Sequence, residues 1–425
     1  MKKLLFNIGL LCGIHPRERL FLQGTEMKEM GVMGDAWLLM DDDRIADFGK
    51  MDDLDRNDIL AQETIDVQGG AVLPCWCDPH THLVYAGSRE GEFVDKIRGL
   101  SYEDIARRGG GILNSADLLH EMTEDELYQA AMQRLDEMAA NGTGCVEIKS
   151  GYGLNTDDEL KILRVIRRMK QTSRVRIMAT FLGAHAVGRD YRGRQEAYVD
   201  LVVDEMIPAV AEAGLADFID VFCDRGFFTP EETARILQAG AKFGMRPKIH
   251  ACELASSGGV AVGVAHDALS VDHLESATDD DLALLRATAT MPTLLPGTSF
   301  FLNMPYARGR HIIDSGLGIA LASDCNPGST PSSDMKFVVS LACIKMRLLP
   351  VEAINAATLN AAYAMGLAVD YGSIAVGKKA NVQITAPIPS VDYIPYAYTR
   401  RITRTVFLEG QESGANQGDG EFDTF

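Results

Sequence analysis

Residues Asp78-Pro79-His80-Thr81-His82 set two imidazoles two positions apart. Alternate side chains of an extended strand share a face, so His80 and His82 point the same way and can grip one metal ion. The run before them, Ala71-Val72-Leu73-Pro74-Cys75-Trp76-Cys77, is apolar and β-prone, as a buried strand requires. Taken alone, the pair fits two strand histidines satisfied by backbone carbonyls equally well. The placement of the other histidines decides between these readings.

Strand-like runs alternate with helical patterns through the middle of the chain. Strands are expected at 72–77, 145–149, 176–182, 218–222, 246–250, 268–271, 288–294 and 318–322. Helices are expected at 124–141, 157–170, 195–213, 230–243 and 279–287. Eight strands in βα alternation over about 250 residues describe a (β/α)8 barrel, an α/β fold. A doubly wound sheet would carry a glycine-rich phosphate turn after its first strand, and Cys77-Asp78-Pro79-His80-Thr81-His82 is not one. Functional side chains of such barrels lie at the C-terminal strand ends. That rule selects His80 and His82, Lys149 and Tyr152, His185, Asp224, His250 and Glu253, His273, and Asp324. Five of the nine histidines fall on this one rim, which favours metal ligation for the pair.

The 425 residues suit a barrel plus a small accessory domain, and a 46% hydrophobic content supplies a large core. Turn-punctuated strands before residue 70 and after 368 predict a β-sandwich-like domain from 1–70 plus 368–412, flanking a barrel over 71–367. Trp37-Leu38-Leu39-Met40 and the acidic turn after it read as a hairpin. The first residues, Leu4-Leu5-Phe6-Asn7-Ile8, read as an edge strand, because Asn7 interrupts any signal-like run and the stretch is too short to span a bilayer. Residues 413–425, rich in glycine and acid, are expected to be disordered. The net charge of −19 argues against nucleic acid, and nothing marks a membrane partner. Eight scattered cysteines without a C-x-x-C pair fit a reducing cytoplasm.

His-x-His after the first strand, His250 after the fifth and Asp324 after the eighth resemble the amidohydrolase superfamily. Four segments narrow the resemblance: Asp78-Pro79-His80-Thr81-His82-Leu83-Val84-Tyr85-Ala86-Gly87-Ser88-Arg89, Glu147-Ile148-Lys149-Ser150-Gly151-Tyr152-Gly153-Leu154, Leu182-Gly183-Ala184-His185-Ala186-Val187 and Ala322-Ser323-Asp324-Cys325-Asn326-Pro327-Gly328-Ser329. They look like the imidazolonepropionase family, and the likeness runs through Tyr393-Ile394-Pro395-Tyr396. The chain departs from that pattern at Cys75, where glycine is expected, and at Gly188-Arg189-Asp190, where Pro-Pro-Glu is expected.

The resemblance implies hydrolysis of the cyclic amide of 4-imidazolone-5-propanoate to N-formimidoyl-L-glutamate, the third step of histidine degradation. It implies one Zn2+ or Fe3+ held by His80, His82, His250 and Asp324, lowering the pKa of water from about 15.7 to roughly 7. A second metal would need a lysine after the fourth strand; Lys149 follows the second, which favours one ion and leaves Lys149 either functional or in a structural ion pair. Glu253, His273 and Asp324 are the expected proton-handling groups. Arg89, Tyr152, His185, Glu253, Asn326, Gly328 and Ser329 are the expected substrate contacts, with Arg89 gripping a carboxylate. The partner is then a small anionic molecule, with a homodimer admitted. A ring deaminase or hydantoinase-type enzyme is the alternative within the superfamily, and a non-catalytic barrel the alternative outside enzymes. Arg89 with Tyr152 speaks against the first, and retention of all four ligands against the second.

Overall fold

The computed structural model describes residues 1–54, 60–100 and 110–413. Most of the expected disordered tail, from 414 on, lies outside the described residues. The N-terminal strands are β1 (Lys2–Ile14), β2 (Gly31–Asp41), β3 (Arg44–Lys50), β4 (Glu63–Asp66) and β5 (Ala71–Pro74). Three C-terminal strands, β15 (Val382–Thr385), β16 (Thr403–Leu408) and β17 (Gln411–Glu412), complete one sheet in the order β17-β16-β15-β5-β1-β2-β3, with β4 also on β1. The β2–β3 hairpin turns at Asp42, as expected, in a left-handed conformation that aspartate tolerates. Strand β1 is not an edge: β2 runs along one side and β4 and β5 share the other. Its buried Leu5, Ile8 and Leu11 pack with Val72, Val382 and Phe407, so both chain ends build one small core.

Between these ends runs the barrel: β6 (Trp76–Thr81), β7 (Thr143–Lys149), β8 (Arg176–Ala184), β9 (Phe218–Cys223), β10 (Arg246–Pro247) continuing into β11 (Ile249–Ala251), β12 (Ser270–His273), β13 (Met291–Leu294) and β14 (Ala320–Leu321). All neighbours are parallel. The ring closes where Thr81 bridges Cys325 and the Asp324 N–H donates to the His80 carbonyl at 3.0 Å. The strand expected at 72–77 is therefore two strands in two sheets. Pro74, lacking an N–H, ends β5, and Trp76 begins the barrel.

Helices cover the outside. The helix Glu124–Ala140 begins with Thr123 accepting from the Glu126 N–H and buries Leu127, Ala131, Leu135 and Met138 at helical spacing. The single helix expected at 195–213 is Gln195–Leu201 and Ile207–Glu212 joined by a wide turn at Val202–Met206. Pro208 cannot donate to the preceding turn, and the wider turn absorbs the lost bond. No helix among the described residues is long and apolar enough to cross a membrane. The two departures stay outside the histidine cluster. Cys75 packs against Gly144, whose missing side chain leaves the space, and Arg189 pairs with Asp117 on the surface.

Candidate metal centre and substrate cavity

The first, fifth and eighth barrel strands deliver His80, His82, His250 and Asp324 to one point. Ligand atoms of the three histidines lie within 4.8 Å of one another, all buried. Asp324 Oδ1 is 3.6 Å from His80 Nε2 and 3.7 Å from His82 Nε2. Burial above all, then neighbouring positive groups, holds His80 and His82 well below the usual histidine range. They are neutral, the form that ligates. His80 Nε2 and His250 Nε2 are buried and make no hydrogen bond among the described residues, and the His82 nitrogen near Asp324 is Nε2. Three clustered imidazoles beside a carboxylate form a donor set that suits a transition metal.

The barrel interior aims these rings. Asp272 Oδ2 lies 2.7 Å from His80 Nδ1, so that nitrogen carries the proton and Nε2 presents its lone pair. Asp220 Oδ2 lies 2.9 Å from His250 Nδ1, and its Oδ1 accepts from the His250 backbone N–H. Both carboxylates lean on Lys149, whose Nζ is 2.8 Å from Asp220 Oδ2, 3.6 Å from Asp272 Oδ2 and 2.6 Å from Glu147 Oε1. Lys248 donates to the other oxygen of Glu147. Lys149 is thus the buried ion-pair hub beneath the histidines rather than a group facing the cavity. Burial opposes its charge, but Asp220, Glu147 and Asp272 hold its pKa well above the usual lysine range. Asp324 Oδ2 is fixed by hydroxyls of Thr298 at 2.6 Å and Ser329 at 3.1 Å.

Above the histidines opens a cavity of about 620 Å³ lined by Arg89, Tyr152, His185, Glu253, His273, Asn326, Gly328 and Ser329, among others. The structure brings every expected substrate contact to it. His185 stacks on His82, ring centroids 5.1 Å apart, and its Nδ1 donates to the Gly151 carbonyl at 2.9 Å. Burial, then His250, lowers its pKa to about 3, so its Nε2 is an acceptor. The Ser150-Gly151-Tyr152-Gly153-Leu154 segment has a local reason. A side chain at Gly151 would strike the His185 ring, and φ there is +108°. Buried Glu159 accepts the N–H groups of Gly151, Gly153 and Leu154, which pins Tyr152 between them.

Glu253 and His273 sit together, with Glu253 Oε2 at 3.6 Å from His273 Nε2 and Glu275 Oε2 at 3.5 Å from Nδ1. Burial pushes Glu253 up to about 7, with Glu275 and Asp324 adding to the rise and His273 opposing it. Burial disfavours a charged His273, yet Glu253 and Glu275 outweigh it and hold its pKa well above the usual value. His273 and Asp324 both take left-handed backbone, φ 84° and 55°, a strain typical of functional strand ends.

Two rim residues have other work. Asp224 accepts the N–H groups of Leu254 and Ala255 and so fixes the loop carrying Glu253. The Asn326 amide is engaged inside its own loop: Oδ1 accepts from Gly328 and Ser329, and Nδ2 donates to the Asp324 carbonyl and Ser329 Oγ. It shapes the turn at the cavity wall. Arg89 pairs with Glu92, Nε at 2.9 Å and Nη2 at 2.6 Å from one oxygen. Sequence reasoning missed Asp220 as an orienting group, although an acid inside Phe218-Ile219-Asp220-Val221-Phe222 is a signal for a buried, paired charge.

A parallel barrel with three histidines and an aspartate converging at its C-terminal mouth is the frame of a metal-dependent hydrolase. Residues 71–412 match the amidohydrolase family, and the chain belongs to it. Its sequence is similar to the imidazolonepropionase of Christiangramia forsetii, 51% identical over 97% of this chain and 100% of the relative. It is also similar to that of Brevibacillus brevis, 41% identical over 91% of this chain and 92% of the relative. Among solved structures, a triazine hydrolase variant superposes with a TM-score of 0.74 at 16% identity, covering 97% of this chain and 94% of the other. A zinc-bound adenosine deaminase from Xanthomonas campestris does so at 0.66 and 16%, covering 96% and 92%. These two share the fold.

Proposed function

We propose that this chain hydrolyses the cyclic amide bond of 4-imidazolone-5-propanoate, giving N-formimidoyl-L-glutamate in histidine degradation. The observation that carries the reading is similarity to imidazolonepropionases across essentially the whole length, at 51% identity to the Christiangramia forsetii relative. His80, His82, His250 and Asp324 would hold one zinc or iron ion, as the clustering of the three imidazoles and the lowered pKa values of His80 and His82 support. When bound, the ion supplies a Lewis acid that makes water acidic enough to attack near neutral pH.

The chain's own residues do the rest. Asp272 and Asp220 keep His80 and His250 in one tautomer and one orientation. Glu253, titrating near 7, takes the proton from the attacking water and returns it to the departing ring nitrogen. Cationic His273 donates to the amide oxygen as negative charge develops there. His185 Nε2 accepts a ring N–H. Arg89 and Tyr152 hold the propionate end, while Asn326, Gly328 and Ser329 keep Asp324 in place. Eight unpaired cysteines support a reducing, cytoplasmic setting.

The test is loss of the imidazolone ultraviolet band when pure, metal-replete protein meets freshly made substrate. A second arm offers adenine, cytosine and a hydantoin. Turnover of those rings with none of the imidazolone would overturn the assignment.

A further inference from the structure

The cavity has two cations at one end, and their surroundings differ. Arg89 is answered by Glu92 at 2.6 and 2.9 Å. Glu92 cannot swing aside cheaply, because its other oxygen accepts from the Gly111 N–H at 3.0 Å and the Asn114 amide at 3.3 Å. Lys96 lies near the end of the same short helix, Glu90–Ile97, and lines the same cavity. Its Nζ donates to the Gly328 carbonyl at 2.9 Å and stands 5.5 Å from the Phe301 ring centroid. It makes no ion pair among the described residues. Gly328 is where the two cations meet, since a side chain there would fall 2.1 Å from Arg89 Nη1.

Among the described residues, this end of the cavity therefore carries one positive charge more than its carboxylate offsets, and Lys96 carries it. An ammonium has three donors, and only one is used on Gly328. Burial, then the charge of Arg89, lowers the Lys96 pKa; an incoming anion relieves that cost. We infer that Lys96 is a specificity-determining residue: its ammonium receives the carboxylate of the substrate's side chain, with Arg89, already neutralised by Glu92, fixing that carboxylate's orientation. The inference rests on the function proposed above.

The closing experiment uses the metal-loaded full chain and two unreactive probes, imidazole-4-propanoate and 4-propylimidazole, which differ only in the carboxylate. Binding is measured by calorimetry for wild type, Lys96→Gln and Lys96→Arg, beside steady-state kinetics on 4-imidazolone-5-propanoate. Glutamine removes the charge and keeps an N–H donor one bond shorter than the ammonium, and arginine, which keeps both charge and reach, separates loss of charge from loss of length. Wild type should prefer the propanoate by on the order of ten- to a hundredfold, the usual range for a charge-assisted contact. Lys96→Gln should shrink that preference to about threefold or less and raise KM by the same factor at nearly constant kcat. Arginine should restore most of the preference. A preference kept intact in Lys96→Gln, with wild type turning over the imidazolone, overturns the assignment of Lys96 alone. A wild type that leaves the imidazolone unchanged overturns the proposed function and this assignment with it.

Discussion

Replacing Asp272 by asparagine is the sharpest test of the idea that the barrel interior aims the metal ligands. Asp272 Oδ2 stands 2.7 Å from His80 Nδ1, Oδ1 takes the Ser270 hydroxyl at 2.5 Å, and Lys149 Nζ is 3.6 Å away. Asparagine has the same shape. Its carbonyl can stay on the His80 N–H while its NH2 turns to Ser270, whose hydroxyl can accept as well as donate. The number of hydrogen bonds survives; the charge does not. Lys149 remains paired with Glu147 and Asp220, so the fold should lose only about 1 kcal/mol, the gap between a charge-assisted and a neutral bond. The imidazole loses more of what matters for ligation. Without a carboxylate behind it, its Nε2 is less basic and freer to rotate, and metal affinity should fall roughly 10–100-fold. Competition with a chelator on the metal-free protein measures the affinity, and denaturant unfolding in parallel measures the fold. An affinity within about twofold of wild type would refute the reasoning, because such changes elsewhere cost at least tenfold. A stability loss above about 5 kcal/mol would also refute it, by showing that Asp272 acts as a core strut and not as a tuner of His80.

Lys149→Met should destabilise by about 3–5 kcal/mol, because it leaves Asp220 and Asp272 buried without their cation; urea unfolding checks this, and an unchanged midpoint would sink the hub assignment. Glu253 must be ionised to take a proton and titrates near 7, so kcat/KM should fall as pH drops below that value. Glu253→Gln should remove this acid limb and lower kcat roughly 10²–10⁴-fold, with metal content unchanged by elemental analysis. Arg89→Met should cost about 2–4 kcal/mol in kcat/KM, part of it from Glu92 left facing the substrate carboxylate; adding Glu92→Gln should recover that part, and a double mutant no better than the single would count against the pairing. Gly328→Ala should displace the Arg89 guanidinium, which lies 2.1 Å from the new methyl position, and raise KM while leaving the metal bound.

The barrel and the convergence of His80, His82, His250 and Asp324 could be read from the chain because both depend on local rules. Strand and helix periodicity repeats along the sequence, and ligands collect at strand ends whatever the reaction. The boundary between the two sheets was harder to see. Residues 71–77 form one apolar run, and only the absence of an N–H at Pro74 marks where it changes partner. The interior network was also hidden. Glu147, Lys149, Asp220, Lys248 and Asp272 come from three strands and the junction between β10 and β11, and nothing in the spacing of residues so far apart predicts which acid meets which base. Asn326 was legible as a cavity-lining residue beside Asp324, but the Asx-type turn its amide builds was not.

The seam where the barrel closes has a consequence for how the protein is made. His80 and Asp324 sit on opposite lips of that seam, joined by the bond from the Asp324 N–H to the His80 carbonyl, and Ser323 reaches Asp78 across 245 positions of chain. Joining ends so far apart carries a loop-closure cost that local contacts do not. The three histidines and Asp324 come together only when the last strand has docked on the first. An ion bound there would therefore bind tightly only to the closed barrel and would act as a latch across the join. Stripping it should loosen this line first, so the backbone amides of His82 and Asp324 should exchange with solvent faster while those of the opposite wall stay protected.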